Sequence, residues 1–338
     1  MNRRRAPTIR DVASFAGVSV TTVSDVVNGK GRVDPDTRKR VIAAVDEVGW
    51  RPRRSARALR SGQSGVFALC LPQRDHSVGD WLLNADYDMA LVAACAAAAV
   101  DSDRQLLLAP RPKDVTDLVR LDVDGVIIAD PQEGDLALTV LNGAGIPVVT
   151  IERDLRRTDG WWVETDTVGS TYMVLDHLAA QGAERIALIG SDAPWAWFSE
   201  TIEAYTTWCE EREWRPQIRL IDVNKPTTSA AAAVRRLLRL RRPPDAIFAQ
   251  PQGAPLSVLA AATAAGRRVP DDLMLVAGID GQTLQLAHPP ITALDLRPVE
   301  IARAAIDLLA RRVAGADTAG PEVVEAKLVT RQSTLGHV

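Results

Sequence analysis

Only two residues, Gly17 and Val18, separate one helical pattern from the capping residue of the next. Thr8 stands as N-cap of a segment at 9–16, with Asp11 three residues on in the capping-box position. Gly17 stops that helix, Ser19 caps a second at 20–28, and Gly29 ends it. Two short helices joined this tightly must cross steeply, the helix-turn-helix arrangement. Asp34 caps a third, with Pro35 in its first position and Asp36 complementing the dipole, and Gly49 ends it. Ile9, Val12, Ala13 and Ala16 have the spacing of a buried helix face, as do Val23, Val26 and Val27. Together with Val41, Ile42, Ala44, Val45 and Val48 they predict a small three-helix core.

Charge sets this head apart. Residues 1–64 carry 14 basic and 6 acidic side chains, although the whole chain has 40 and 43 and a net charge of −3. A basic head on an acidic body is the electrostatic footprint of a module that meets phosphate backbones; a solvated basic tail is the other reading. The second helix shows a polar face of Thr21, Thr22, Ser24, Asp25 and Asn28. Small hydroxyl and amide side chains suit close approach to a groove, or an exposed face with no partner.

Residues 8–62 hold D-V-A-x-x-A-G-V-S, T-V-S-x-V-x-N, T-R-x-x-V, W-R-P and A-R-x-L-R in register and almost without a gap. This segment resembles the headpiece of the lactose/galactose repressor (LacI/GalR) family. The resemblance implies that the second helix enters the major groove, with Val20, Thr21 and Asp25 reading bases. It implies that Thr8, Ser19, Thr22, Ser24, Asn28 and Thr37 hold phosphates, and it adds Ile9, Arg10, Trp50 and Arg53 to the DNA-facing set. Two departures stand out. Asp25 replaces a donor such as Arg; a carboxylate cannot bind guanine O6/N7 but accepts from a cytosine amino group. Arg53 replaces the Asn usual after the hinge proline.

Five arginines crowd residues 51–64, so a short helix there is unstable without counter-charge. By resemblance this hinge folds on DNA, Arg57 lies among its DNA-facing residues, Leu59 wedges into the minor groove, and Ala56 permits the close approach. Such a wedge costs a few kcal/mol of unstacking and gains a bent duplex.

From Val66 onward, short apolar runs alternate with helical patterns. Strands are predicted at 66–71, 105–109, 125–129, 147–151, 185–189, 219–222, 245–249 and 273–279, with helices at 167–180, 197–212, 229–240 and 299–313. Alternation implies parallel sheets covered on both faces, and the strand number implies two lobes. Ligands bind at the C-terminal ends of such strands, which here means the cleft between lobes. The phrases V-D-G-V-I-I (123–128), H-L-A-A-Q-G-A-E-R-I-A-L-I-G (177–190), G-I-D (278–280) and P-P-I-T (289–292) extend the resemblance to the family's body and to periplasmic sugar-binding proteins. The expected organisation is an all-α helix-turn-helix headpiece (1–50), a hinge (51–64) and a two-lobed α/β effector-binding and dimerisation core (65–338). Lobe 1 takes about 65–163 and 293–320, and lobe 2 about 164–292 and 321–338. Crossings are expected at 161–166, at 287–294 and near Gly320.

The resemblance places Glu152, followed by Arg153, and Asp280 where the family has cleft acids. Thr201 stands where an effector-gripping arginine is common, and Pro251-Gln252 where the family has N-D. The loop at 73–84 lacks the family's N-P-F-F phrase, and Tyr87 is the candidate replacement for one of its aromatics. Trp195, Trp197 and Phe198 cluster after the strand ending near Gly190, either stacking on a ligand ring or packing the lobe.

Other function classes fare worse. The four histidines (His76, His177, His288, His337) are isolated, so no metal or other cofactor is expected. No GxSxG, P-loop or GxGxxG phrase supports an enzyme. Cys70, Cys95 and Cys209 form no CxxC pair and read as buried thiols. No apolar run approaches membrane-spanning length, and residues 1–10 do not form a secretory signal. The expectation is a cytoplasmic homodimer, nucleoid-associated when bound to double-stranded operator DNA and controlled by a small molecule, a sugar or related metabolite. No leucine heptad follows R-Q-S-T (331–334) to build a tetramer. An activator of the same architecture and a two-lobed solute-binding protein or enzyme are the alternatives.

Overall fold

Strands buried on both faces are nearly continuous apolar runs, and Gly125-Val-Ile-Ile-Ala129 is one. The structure, a computed structural model, describes residues 7–27, 31–50, 63–72, 85–118, 121–317 and 320–335. Residues 1–64 and 65–338 form two separate units.

The first unit contains α1 (Ile9–Ala16), α2 (Val20–Val27) and α3 (Pro35–Val48). Gly17 and Gly49 end α1 and α3 with φ of 64° and 65°, the left-handed conformation that glycine adopts without a Cβ penalty. Asp34 accepts from the backbone N–H of Asp36 and Thr37, and the Asp11 carboxylate accepts from the Thr8 backbone and hydroxyl, both at 2.7 Å. Val12, Ala13, Val23, Val26, Val41 and Ala44 form the core, and Trp50 packs against it. Ile42 is not part of it and is 52% exposed. One residue beyond Val41 turns a side chain about 100° around the helix, away from the 41-44-48 stripe.

The second unit is two six-stranded sheets. The first has the order β11-β5-β4-β3-β1-β2, built from β1 (Val66–Cys70), β2 (Gln105–Leu108), β3 (Gly125–Ala129), β4 (Val148–Ile151), β5 (Trp162–Thr165) and β11 (Glu322–Val324). Its strands are parallel. Helices α4 (Asp86–Asp101) and α12 (Pro298–Val313) cover one face, and α6 (Leu136–Gly143) the other; the short α5 (Val115–Leu118) follows β2. The second sheet runs β12-β10-β9-β8-β6-β7, from β6 (Ile186–Gly190), β7 (Ile218–Leu220), β8 (Ala246–Ala249), β9 (Met274–Ala277), β10 (Thr292–Asp295) and β12 (Lys327–Val329). Among the described residues only the β10–β12 pair is antiparallel. Helices α7 (Thr167–Ala180) and α8 (Ala196–Glu210) pack on one face, α9 (Pro226–Leu237) and α10 (Ala254–Ala264) on the other, and α11 (Gln282–Gln285) follows β9. Cys70, Cys95 and Cys209 are buried free thiols.

The eight predicted strands are present, β3 with the predicted ends and the others with ends shifted by one or two residues, whereas β5, β10, β11 and β12 had no prediction. These are three or four residues long and carry Glu164, Asp295, Glu322 and Lys327, so no apolar run announces them. The chain crosses between lobes at Asp166, at Leu296–Arg297 and at Glu325–Ala326. The last two crossings correct the expected positions. Ala293 pairs with Val329 in the second sheet and Val323 with Glu164 in the first, which reverses the lobes expected for 293–295 and 322–324. Among the described residues no helix is long and apolar enough to cross a membrane.

Candidate functional site

Two surfaces carry the candidate residues, one in each unit. In the first unit, Ser19 Oγ accepts from the Thr22 backbone N–H at 3.0 Å and lies 2.8 Å from the Thr22 hydroxyl, so the N-terminus of α2 is held by its own cap. Val20 and Thr21 are exposed; Thr22, Ser24 and Asp25 are half-buried. The Asp25 carboxylate lies beside Gly31, where a Cβ would come within 3.4 Å of it. Thr8 and Ile9 are half-buried, Arg10 is exposed, and the half-buried Thr37 accepts from Arg40 at 3.2 Å. Asn28, Arg53, Ala56, Arg57 and Leu59 lie outside the described residues.

In the second unit a cavity of about 840 Å³, including its solvent mouth, opens between the lobes at the strand ends. Lobe 1 supplies Tyr87 and Asp88 from α4, Asp130 after β3, Glu152 after β4 and Thr165 from β5. Lobe 2 supplies Trp195, Trp197, Phe198 and Thr201 around the start of α8, and Phe248, Gln250, Pro251 and Gln252 at the end of β8. Thr167, Ser170 and Thr171 of α7 and Leu294 and Leu296 by the second crossing complete the hydroxyl and apolar parts. Gly278 is there for packing: a Cβ would stand 2.7 Å from the Gln250 backbone.

Glu152 governs the electrostatics. Burial, reinforced by the charge of Asp130, pushes its carboxyl up to about 8, although Oε1 accepts from the Thr165 N–H at 3.1 Å. Burial and the neighbouring Asp130, Glu152 and Asp88 charges likewise push the Tyr87 phenol well up. Asp130 and Glu152 both have left-handed backbones, φ 46° and 63°. Non-glycine residues hold that conformation at a cost, and such positions concentrate at ligand sites. On the facing wall Gln250 Nε2 donates to the Trp197 carbonyl at 3.0 Å and the Thr201 hydroxyl at 2.5 Å. That fixes the amide orientation and leaves Gln250 Oε1 buried without a partner, as is Trp197 Nε1. Trp195 and Trp197 are nearly parallel at 6.2 Å, and the Trp197 and Phe198 ring centroids are 3.8 Å apart.

Of the predicted cleft residues, the cavity brings together Tyr87, Glu152, Trp195, Trp197, Thr201 and Gln252. Arg153 and Asp280 are outside its lining. Arg153 turns to Glu200 at 2.5 Å and Glu164 at 3.6 Å in a separate groove. Asp280 is held by both arms of Arg331, at 2.6 and 2.8 Å, and by the Gly281 N–H, so its acceptors serve the fold of lobe 2. Asp88, Asp130, Thr165 and Gln250 were missed. Asp130 follows its strand directly, as Glu152 does, so the strand-end rule reaches it. Gln250 follows the run ending at Ala249 in the same way, whereas nothing in the sequence distinguishes Asp88 from a helix-start acid. Among the described residues no group of three His, Cys, Asp or Glu side chains is arranged to hold a metal ion.

Residues 8–53 match the model of bacterial regulatory proteins, lacI family, and residues 175–334 that of a periplasmic binding protein-like domain. The chain is 30% identical to the HTH-type transcriptional regulator CelR of Thermobifida fusca, over 98% of this chain and 100% of the relative. It is 28% identical to the ribose operon repressor of Halalkalibacterium halodurans, over 97% of each. Among solved structures, the CelR–cellobiose complex aligns with a TM-score of 0.70 at 25% identity, over 97% of this chain and 99% of that one. The lac repressor dimer bound to operator and the anti-inducer ONPF aligns with a TM-score of 0.83 at 23% identity, over 98% and 100%.

Proposed function

This chain belongs to the lacI family of bacterial regulatory proteins, and from that premise we propose how its two surfaces divide the work of a DNA-binding transcription regulator. A homodimer presents two headpieces to a near-palindromic operator, as two-fold symmetry requires, and represses by occupying it. Val20, Thr21 and Asp25 of α2 read base edges. Thr8, Ile9, Arg10, Ser19, Thr22, Ser24, Asn28, Thr37 and Trp50 set the helix on the backbone, and the 51–64 segment with Arg53, Ala56, Arg57 and Leu59 folds on DNA. The protein works in the cytoplasm, and on the nucleoid when its operator is occupied.

The effector, a sugar or related metabolite, binds in the cleft and changes the angle between lobes. Through the hinge segments that angle sets operator affinity. The observation carrying this reading is a cavity flanked by both lobes and lined by carboxyls, hydroxyls and indoles, two of whose lining residues, Gln250 and Trp197, hold a buried polar atom without a partner, Oε1 and Nε1. Buried polar atoms are normally satisfied, and leaving one unpaired costs about 1–3 kcal/mol, which a ligand recovers on binding. By linkage, operator and effector shift each other's affinity by the same factor, typically 5–150-fold. Titrating operator DNA against the full-length protein with and without a cleft ligand tests this; a ligand bound tightly with no change in operator affinity contradicts it.

Asp25 narrows the operator. Selection from random DNA with the parent and with Asp25→Ala is expected to relax the preference at one base pair per half-site, about 1–3 kcal/mol of discrimination. An identical ranked set of operators removes Asp25 from the reading face.

A further inference from the structure

Away from the cleft and the headpiece, one stretch of the body carries unanswered charge. Residues 65–338 hold 26 basic and 37 acidic side chains, yet 223–244 contain no acid. Within that span Arg235, Arg236, Arg239, Arg241 and Arg242 fall in eight consecutive residues, and all five are exposed. Among the described residues none of their side chains forms an ion pair, a hydrogen bond or a ring contact. Neighbouring arginines differ. Arg185 is tied to Asp245 at 2.8 Å and Glu184 at 3.0 Å, and Arg268 to Asp272 at 3.0 Å and Asp271 at 3.2 Å. The acids at the starts of β6, β8 and β9 are therefore already paired.

The run sits on a firm base. Arg235 and Arg236 end α9, where cations suit the helix dipole, but the other three lie beyond it. Leu237 belongs to the lobe 2 core, Leu238 packs against it, and Pro243-Pro244 follow. Strand ends of both lobes meet at the cavity: Asp130 and Glu152 after β3 and β4, Gln250 and Gly278 after β8 and β9. The strand starts therefore face away from each other. The chain enters the body at Gly65, bonded to Gln105 and Asp124 at the starts of β2 and β3. From Val223 at the cavity, α9 leads to the start of β8, so the arginine run occupies the opposite end of the body.

We propose that this run is a second, sequence-independent contact for double-stranded DNA, on a duplex other than the operator. Guanidinium groups match phosphate oxygens in bidentate pairs. Solubility alone is served by interspersed charges of both signs. Five like charges in eight residues repel one another, and a polyanion removes that repulsion. DNA is the polyanion that the headpiece already keeps close, so a weak contact is filled by proximity. A dimer on its operator then holds a second duplex at its arginine runs and bridges two DNA segments. Five phosphate contacts predict an affinity that falls by up to about 500-fold between about 50 and 200 mM salt. The run shares no residue with the cleft or the headpiece, so failure of the effector reading leaves it standing.

The test starts from the full chain bound to immobilised operator, itself obtained by selection from random DNA, so that the headpieces are occupied. A random-sequence duplex of about 30 base pairs lacking that operator is passed over it at about 50 mM salt, and its capture is followed by surface plasmon resonance. The comparison is the triple variant Arg239→Gln, Arg241→Gln and Arg242→Gln, whose fold is checked by its urea midpoint. The parent is expected to capture the second duplex with the stated salt dependence. The variant is expected to bind it about tenfold or more weaker and to lose only about tenfold over the same salt range, with operator affinity unchanged. Capture that the variant leaves intact places the second duplex on the headpieces and overturns the proposal, as does no capture at all. Phosphatidylglycerol vesicles or polyglutamate bound more tightly than the duplex also overturn it, making the occupant a lipid surface or an acidic protein. A tetramer seen in sedimentation without DNA, and returned to dimers by the triple variant, overturns it in favour of a second copy of the chain.

Discussion

The two walls of the cleft are built on opposite principles. Lobe 1 contributes carboxyls on strained backbone: Glu152 and Asp130 at left-handed φ, with Asp88 beside them. Lobe 2 contributes stacked rings and an amide anchored to its own wall through Thr201 and the Trp197 carbonyl. The rings of the lobe 2 wall pack on one another, with Trp195 and Phe198 buried. The lobe 1 wall instead buries the Glu152 carboxyl, whose ionisation that burial opposes. Lobe 1 therefore supplies the titratable group of the cleft, and lobe 2 supplies shape.

If that division is right, removing a lobe 2 ring damages folding first. Phe198 is 1% exposed and lies against both indoles. Phe198→Ala is expected to cost about 3–5 kcal/mol in urea unfolding, the range for a large buried ring. A loss below about 1 kcal/mol would mean that the ring belongs to a ligand surface and not to the core. Removing the lobe 1 charge has the opposite sign. Glu152's folded-state value lies above its ordinary 4.5, so its stability contribution is intact below about pH 4.5 and declines as pH rises to about 8. Glu152→Gln removes that decline. The variant is expected to match the parent near pH 4.5 and to be more stable by roughly 2–4 kcal/mol at pH 8. Parallel stability curves for the two proteins across that range would show that Glu152 is not strained by its surroundings.

The same contrast explains what was legible in sequence. Headpiece caps are local: Thr8 and Asp11, Ser19 and Thr22, and Asp34 with Thr37 are three apart in sequence and bond as the spacing predicts. The apolar strands were legible because burial on both faces leaves continuous runs. Cleft residues are brought together from distant strand ends, and the strand-end rule nominates more acids than the cavity uses. Asp280 obeys that rule yet is claimed by Arg331, 51 residues on. Asp130 obeys it and lines the cavity. Only the tertiary partner separates them, and a 51-residue pairing leaves no periodic trace. β11 and β12 were illegible for the related reason that their pairing partners, β5 and β10, lie far upstream.

A smaller effect tests whether the two walls move apart. Asp86, at the start of α4 in lobe 1, accepts from the Thr283 N–H and hydroxyl of lobe 2, both at 3.1 Å. Gly281 makes room for it, since a Cβ there would lie 2.4 Å from the Asp86 carboxylate. Close by, Gln252 of lobe 2, with its amide oriented to satisfy both ends, donates to Asp88 at 3.0 Å and accepts from the Asp86 N–H at 3.3 Å. These bonds join the two lobes directly. Asp86→Ala removes two of them from a partly solvated site, about 1 kcal/mol, and so shifts closure by about fivefold. Ligand affinity should fall by up to that factor, chiefly through faster release, with the unfolding midpoint nearly unchanged. The half-exposed Arg153–Glu200 pair also links the lobes, and Glu200→Gln should cost only a few tenths of a kcal/mol. Equal effects from the two variants would place closure in long-range charge across the cleft, whereas a larger effect from Asp86→Ala places it in the hydrogen-bonded latch where the acidic end of α4 meets the backbone of lobe 2.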